Sequence, residues 1–124
     1  MIDTPAEYLA AAPPPGQPWL REFWEYVRAT YPGQELTMFR QTPMFKFGRS
    51  YQQGYVMFTA AKTHFAVHAI DFDLVDSARR SIPGARGGKG NVSVKYAAED
   101  TKPALKAFVD AVMARHLHDI SNER

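Results

Sequence analysis

Several stretches of the chain repeat an apolar residue every three to four positions, as one side of an amphipathic helix does. This spacing predicts helices from Pro18 to Thr30 and from about Thr101 onward. The apolar sides of these two helices consist of Trp19, Leu20, Phe23, Trp24, Val27 and Tyr31, and of Leu105, Phe108, Val109, Val112, Met113 and Leu117. Shorter helices are predicted over Thr4–Ala11 and Phe72–Ser81, the second capped by the Asp71 side chain.

Between the helices, segments rich in aromatic and β-branched residues predict strands. The predicted strands are Leu36–Gln41, Met44–Phe47, Tyr55–Ala60, His64–Ile70 and Asn91–Tyr96, and the first four are separated by turns at Thr42-Pro43, Gly48-Arg49-Ser50 and Ala61-Lys62-Thr63. Because parallel neighbours need a long crossover, these short connections predict antiparallel pairing. The sequence therefore predicts an α+β fold, in which a mostly antiparallel sheet of about five strands packs with N-terminal and C-terminal amphipathic helices.

Length and composition narrow the class of protein. A chain of 124 residues fits a single domain. It contains no cysteine, which excludes disulfides, thiolate metal sites and a cysteine nucleophile. The N-terminus lacks the basic start and apolar core of a signal peptide, and no segment reaches the roughly 18 apolar residues of a membrane span. We therefore expect a cytoplasmic protein without a membrane partner.

Charge is distributed unevenly, although the net charge is only +2. Residues 36–98 contain nine basic and three acidic residues, whereas residues 1–35 sum to −3 and residues 99–124 to −1. A basic central region of this kind can attract an anionic partner.

The glycine-rich segment Ser81–Gly90 is the most informative candidate site. It lacks the spacing of a phosphate-binding loop and precedes a strand, whereas such a loop leads into a helix. Glycine exposes backbone N–H groups, and no acidic residue occurs from Ser77 to Ala98, so an anion could bind here. The alternative is a solvated connecting loop. The anion-binding candidates are Arg79, Arg80, Arg86, Gly88, Lys89 and Gly90.

The remaining polar residues predict no catalytic set and no metal or other cofactor site. His64 and His68 would lie about 13 Å apart along a strand, too far to share a metal ion. His116 and His118 point in different directions, and His116 is placed to interact with a helix C-terminus. The carboxylates of Asp71, Asp73 and Asp76, and those of Glu22 and Glu25, are typical of helix-dipole partners, with a weak cation site as the alternative.

Several short motifs, in the same order, resemble the YdhG-like family. They are Ile2-Asp3 and Tyr8-Leu9, Thr42-Pro43-Met44-Phe45, Phe58-Thr59-Ala60-Ala61-Lys62-Thr63-His64-Phe65, and Gly88-Lys89-Gly90-Asn91-Val92-Ser93-Val94. The resemblance implies one YdhG-like domain over residues 1–124. Members of this family are small bacterial α+β proteins, mostly of unknown function, and some are described as frataxin-like intracellular iron chaperones.

Three hypotheses about function follow. The first is a non-enzymatic cytosolic binding protein, with iron handling implied only by the resemblance. The second is a protein that binds a phosphorylated small molecule or nucleic acid through a basic sheet face and the glycine-rich loop. Aromatic and basic residues interleave at Phe39-Arg40 and Phe45-Lys46-Phe47, as in single-stranded nucleic-acid grooves, but a half-buried sheet shows the same pattern. We rank nucleic acid below a small ligand and an enzyme last, and the oligomeric state stays open.

Overall fold

A computed structural model describes residues 2–48 and 53–122, with side chains up to residue 116. One antiparallel sheet contains five strands in the spatial order β1-β2-β3-β4-β5, so every strand pairs with its neighbour in sequence. The strands are β1 (Leu36–Phe39), β2 (Thr42–Lys46), β3 (Tyr55–Ala60), β4 (His64–His68) and β5 (Asn91–Lys95). The helices are α1 (Pro5–Ala11), α2 (Gln17–Thr30), α3 (Phe72–Ser81) and α4 (Lys102–Asn122), with 3₁₀ turns at Pro14–Gly16 and Glu99–Thr101. The predicted α+β class and antiparallel sheet are confirmed.

The helices pack on one face of the sheet, which we call the inner face. Phe23 of α2 lies in the middle of this layer, with its ring centroid 5.3 Å from that of Phe58 and 4.8 Å from that of Phe65. The apolar side predicted for α2 is buried from Trp19 to Val27, whereas Tyr31 is only partly buried. The apolar side predicted for α4 is buried as well, up to Met113, and the predicted contact of Leu117 lies outside the described side chains.

Polar contacts join α2 to α4 at the edge of this core. Lys102 and Lys106 place their ammonium groups 2.9 and 2.8 Å from the Glu22 carboxylate. Partial burial opposes ionisation of Glu22, but the hydrogen bonds from both lysines outweigh it and lower the pKa of this carboxyl. Asp110 accepts hydrogen bonds of 2.8 Å from Tyr26 and Tyr31. Burial raises the pKa of both phenols, and the hydrogen bonds to the carboxylate raise it further.

The connection between β1 and β2 differs from the prediction. The turn lies at Arg40-Gln41, where both residues have positive φ (50° and 68°), and Thr42-Pro43 belongs to β2. Two residues with positive φ match the right-handed twist of a two-residue hairpin, although glycine and asparagine are the usual choices. Pro43 lies opposite Met38, one pair beyond the pair that closes the hairpin. Bonds between antiparallel strands alternate, so β1 requires no N–H from Pro43.

The other predicted turns fare differently. The turn after β3 lies where it was predicted, between Ala60 and His64. The predicted turn at Gly48-Arg49-Ser50 falls mostly outside the described residues. None of the described helices combines the length and apolar character that a membrane crossing requires.

Candidate functional site

The second face of the sheet, which we call the outer face, carries a row of small side chains. Successive strand residues point to opposite faces, so Thr59, which follows the buried Phe58, points away from the helices. Thr59 pairs with Ala66, and Ala66 pairs with Ser93. Side chains of directly paired residues share a face. Thr59, Ala66 and Ser93 therefore form a row across β3, β4 and β5 on the outer face, and all three are partly exposed.

The glycine-rich segment continues this row beyond β5. Arg86 forms an antiparallel bridge with Ser93, in which each backbone N–H donates to the other residue's carbonyl oxygen over 2.8 Å. The exposed Arg86 side chain consequently shares the outer face with Ser93. Lys95 and His64 pair in a neighbouring row, so the Lys95 ammonium is a second cation on the outer face.

The row on the other side of Thr59, Ala66 and Ser93 consists of Met57, His68 and Asn91, which are paired across the same strands. His68 Nε2 and Thr59 Oγ1 share a hydrogen bond of 2.8 Å. Burial lowers the pKa of His68 from its ordinary 6.5 to about 4, so the imidazole is neutral at pH 7. The outer face thus combines the hydroxyl and imidazole groups of adjacent rows with the Arg86 guanidinium at one end of the central row.

The six anion-binding candidates do not converge on one point. Arg79 and Arg80 lie on α3, which packs against α4, and both contact Asp76 at 3.0 and 3.2 Å. Asp76 precedes the segment without acidic residues, and it supplies carboxylate partners that the segment itself lacks. Arg79 also donates a hydrogen bond to the Gly88 carbonyl oxygen. The bond from Arg79 holds the loop to α3, whereas Arg86 lies on the outer face.

The remaining candidates have structural contacts of their own. The Lys89 ammonium lies 4.8 Å from the ring centroid of Phe72, a cation–π arrangement, and the Gly90 carbonyl accepts a hydrogen bond of 3.1 Å from the Ala69 N–H. The backbone of Gly87 has a φ of 122°, and a Cβ there would clash with the Asn91 carbonyl oxygen. The conformation of the loop therefore accounts for part of its glycine content without a ligand.

Asp71 and His116 have roles other than those predicted from the sequence. Asp71 occupies the N-cap position of α3, but its side chain makes no capping hydrogen bond. The buried carboxylate instead accepts hydrogen bonds from His116 Nε2 (2.9 Å) and from Arg115 (3.1 Å) of α4. Because α4 extends to Asn122, His116 lies inside the helix rather than at its C-terminus. Its ring stacks on Phe47 at 4.9 Å between centroids.

Arg115 extends this network to a second carboxylate. Its guanidinium donates two hydrogen bonds to Asp73, of 2.9 and 2.7 Å. These bonds lower the pKa of Asp73 to about 2 and raise the pKa of Arg115. Two of the three clustered aspartates therefore connect α3 to α4, which is a structural role.

We predict that Asp71→Ala destabilises the fold by about 1–3 kcal/mol, because it leaves the mostly buried His116 ring N–H without its acceptor and removes one partner of Arg115. Chemical denaturation at pH 7 measures the change. Asp71→Asn retains one acceptor oxygen and should lose less. Asp76→Ala removes a carboxylate that is 42% exposed and should cost less than about 1 kcal/mol. Equal losses in the Asp71 and Asp76 variants would contradict the assignment.

Within the described part of the chain, no group of three or more histidine, aspartate or glutamate side chains is placed to hold a metal ion. His64 Nδ1 is bonded to Thr63 over 2.6 Å, and His68 to Thr59. The two histidines, both on β4, thus bond to different threonines. The His118 side chain lies outside the described residues.

No family model and no curated protein matches the sequence. The crystal structure of YdhG from Bacillus subtilis, a protein of the DUF1801 family, matches with a TM-score of 0.72 at 18% sequence identity, over 89% of this chain and 88% of that one. The fold is the YdhG fold. The resemblance drawn from the sequence motifs is thereby confirmed in the fold.

Sequence reasoning identified Arg86 but missed the residues beside it. Thr59 and Ser93 are ordinary strand residues, and only the register brings them into one row with Ala66. A useful signal was present in the alternation. The alternation places one small residue at an outward position of each of three successive strands, namely Thr59, Ala66 and Ser93.

Proposed function

We propose that this protein is a cytoplasmic binding protein without catalytic activity, which holds a small phosphorylated molecule on its outer sheet face. The observation that carries the proposal is the bridge between Arg86 and Ser93, which aligns a guanidinium with the row of Ser93, Ala66 and Thr59. Guanidinium groups and hydroxyls are good donors to phosphate oxygens, and a guanidinium can donate two parallel bonds.

The contacts of the aromatic residues favour a small ligand over nucleic acid. Binding of a single strand relies on aromatic side chains on which successive bases stack. Phe45 is fully buried on the inner face, and Phe47 stacks on His116. Both rings therefore have partners within the protein and are not free to stack on bases, whereas the centre of the outer face carries Ala66 and two hydroxyl groups.

Iron handling receives less support from the described side chains. Asp71, Asp73, Asp76 and Glu22 each contact an arginine or lysine. A carboxylate that binds a metal ion would have to give up such a partner. The aspartates predicted as a weak alternative cation site are thus engaged in ion pairs.

The test is a titration of ¹⁵N-labelled protein with inorganic phosphate, pyrophosphate and a panel of phosphorylated metabolites, followed by NMR. We expect the amide signals of Ala66, Ser93 and Arg86 to shift together. Arg86→Gln should weaken binding about tenfold or more, since a charge-assisted hydrogen bond contributes about 1.5–3 kcal/mol. Arg80→Gln is the matched control, because Arg80 is 80% exposed and lies on α3. It should bind like the wild type.

Two outcomes would contradict the proposal. The first is that no phosphorylated compound moves the three signals. The second is that Arg86→Gln and wild type bind equally well. Tight binding of a short single-stranded oligonucleotide that weakens steeply between about 50 and 200 mM salt would instead indicate nucleic acid.

A further inference from the structure

A cleft separates α1 from α2, on the side of the molecule that the proposed function does not use. Pro5, Ala6 and Leu9 of α1 form one wall, and Arg21, Trp24 and Arg28 of α2 form the other. Its volume is about 480 Å³. Small-molecule sites commonly have volumes of about 300–1,000 Å³ and a largely apolar lining with a few polar groups.

Trp24 brings an unusual feature to this cleft. The residue is 5% exposed, and its indole Nε1–H is buried with no hydrogen-bond partner in the described part of the chain. Leaving a buried donor unpaired is unfavourable, and buried polar groups are seldom left in this state. An acceptor that reached the indole N–H would remove that penalty.

The wall formed by α1 lies at the edge of the core, and its displacement would admit such an acceptor. No residue of this seven-residue helix is buried. Tyr8 bonds the Ala60 N–H at 3.4 Å, which is long for a hydrogen bond. Tyr8 and Leu9 pack against the core from partly exposed positions, so a small displacement of α1 changes contacts at the edge of the core and leaves the fully buried residues in place.

The charges of the cleft define the ligand further. Arg21 and Arg28 are exposed on either side of Trp24, and neither forms an ion pair within residues 2–48 and 53–122. Glu25 contributes one carboxylate to the lining. Two guanidinium groups and one carboxylate leave one positive charge unbalanced, which suits a monoanion.

We propose that the cleft between α1 and α2 binds a monocarboxylate with an apolar body, such as a medium-chain fatty acid. The carboxylate accepts the Trp24 Nε1–H and lies between the guanidinium groups of Arg21 and Arg28. The hydrocarbon part packs against Pro5, Ala6 and Leu9. This site is separate from the outer face, so each can fail without the other.

The test uses octanoate as the probe and the indole Nε1–H signals of ¹⁵N-labelled protein as the readout. The chain contains two tryptophans, and Trp24→Phe assigns the signal of Trp24. We expect octanoate to shift the Trp24 signal downfield as the N–H gains an acceptor. Trp24→Phe keeps an aromatic ring but removes the donor, and it should weaken octanoate binding about tenfold.

Charge variants and an uncharged probe complete the design. 1-Octanol has nearly the same apolar body and should bind at least about tenfold more weakly than octanoate. The double variant Arg21→Gln/Arg28→Gln should abolish that preference, whereas Arg80→Gln should retain it. An unmoved Trp24 signal, equal binding of octanol and octanoate, or an unaffected double variant would overturn the proposal. If Trp24→Phe does not fold, sequential NMR assignment of the wild type identifies the Trp24 signal, and that signal and the arginine variants decide.

Discussion

Phe23→Ala is expected to lower the free energy of unfolding by about 3–5 kcal/mol. Phe23 has no exposed surface, and its ring contacts Trp19 as well as Phe58 and Phe65. Truncation to alanine removes the apolar area that these rings bury and leaves a cavity between α2 and the sheet. Because the neighbouring rings are large and contact one another, they have little freedom to fill it. Urea denaturation monitored by circular dichroism measures the loss.

The matched control is Phe72→Ala, which deletes the same atoms from a residue that is 43% exposed. Phe72 contacts the Lys89 ammonium, and losing this exposed cation–π contact should cost about 0.5–1 kcal/mol. Similar losses in the two variants would contradict the position of α2 on the inner face. A loss in Phe23→Ala alone would support it.

The core could be predicted from the sequence because each element repeats its apolar residues with its own period. Tyr55–Ala60 and Phe72–Ser81 have the predicted bounds, and α2 and β5 differ from their predictions by one residue at one end. The turn at Arg40-Gln41 could not be predicted in the same way. Neither residue favours positive φ, so the hairpin depends on pairing between Phe39 and Thr42 rather than on the turn residues themselves.

The site was harder to predict than the core, because its contacts join residues that are distant in sequence. Asp71 looks like a helix cap in the local sequence, and its actual partners lie 44 and 45 positions away on α4. Ser93 and Thr59 likewise share a row only through β4. Local spacing defines which face a side chain occupies. It does not define which distant side chains occupy the same place.

The pH dependence of stability should report directly on His68. Its pKa is about 4 in the folded chain and about 6.5 in the unfolded one, because burial disfavours the charged imidazole. Between these values the unfolded chain binds a proton that the folded chain does not bind, so stability falls as pH falls. The stability that depends on a neutral His68 is fully present above about pH 6.5. Acidification to pH 4 should lower the free energy of unfolding by about 3 kcal/mol through this residue. Urea midpoints measured from pH 7 to pH 4 test the expectation.

His68→Gln supplies the control, since glutamine can bond Thr59 but does not titrate in this range. The variant should lose clearly less stability than the wild type over the same interval. If His68→Gln and wild type have the same slope, the imidazole is more accessible to protons than its lowered pKa implies.

The same measurement connects His68 to the proposed ligand. A phosphate beside Ser93 and Arg86 would lie close to the imidazole, and a nearby negative charge favours the protonated form. Saturating phosphate should therefore raise the pKa of His68 and reduce the loss of stability on acidification. The effect should disappear in Arg86→Gln, which retains His68 but loses the guanidinium that holds the anion. A reduction of equal size in Arg86→Gln would mean that phosphate stabilises the protein from another position.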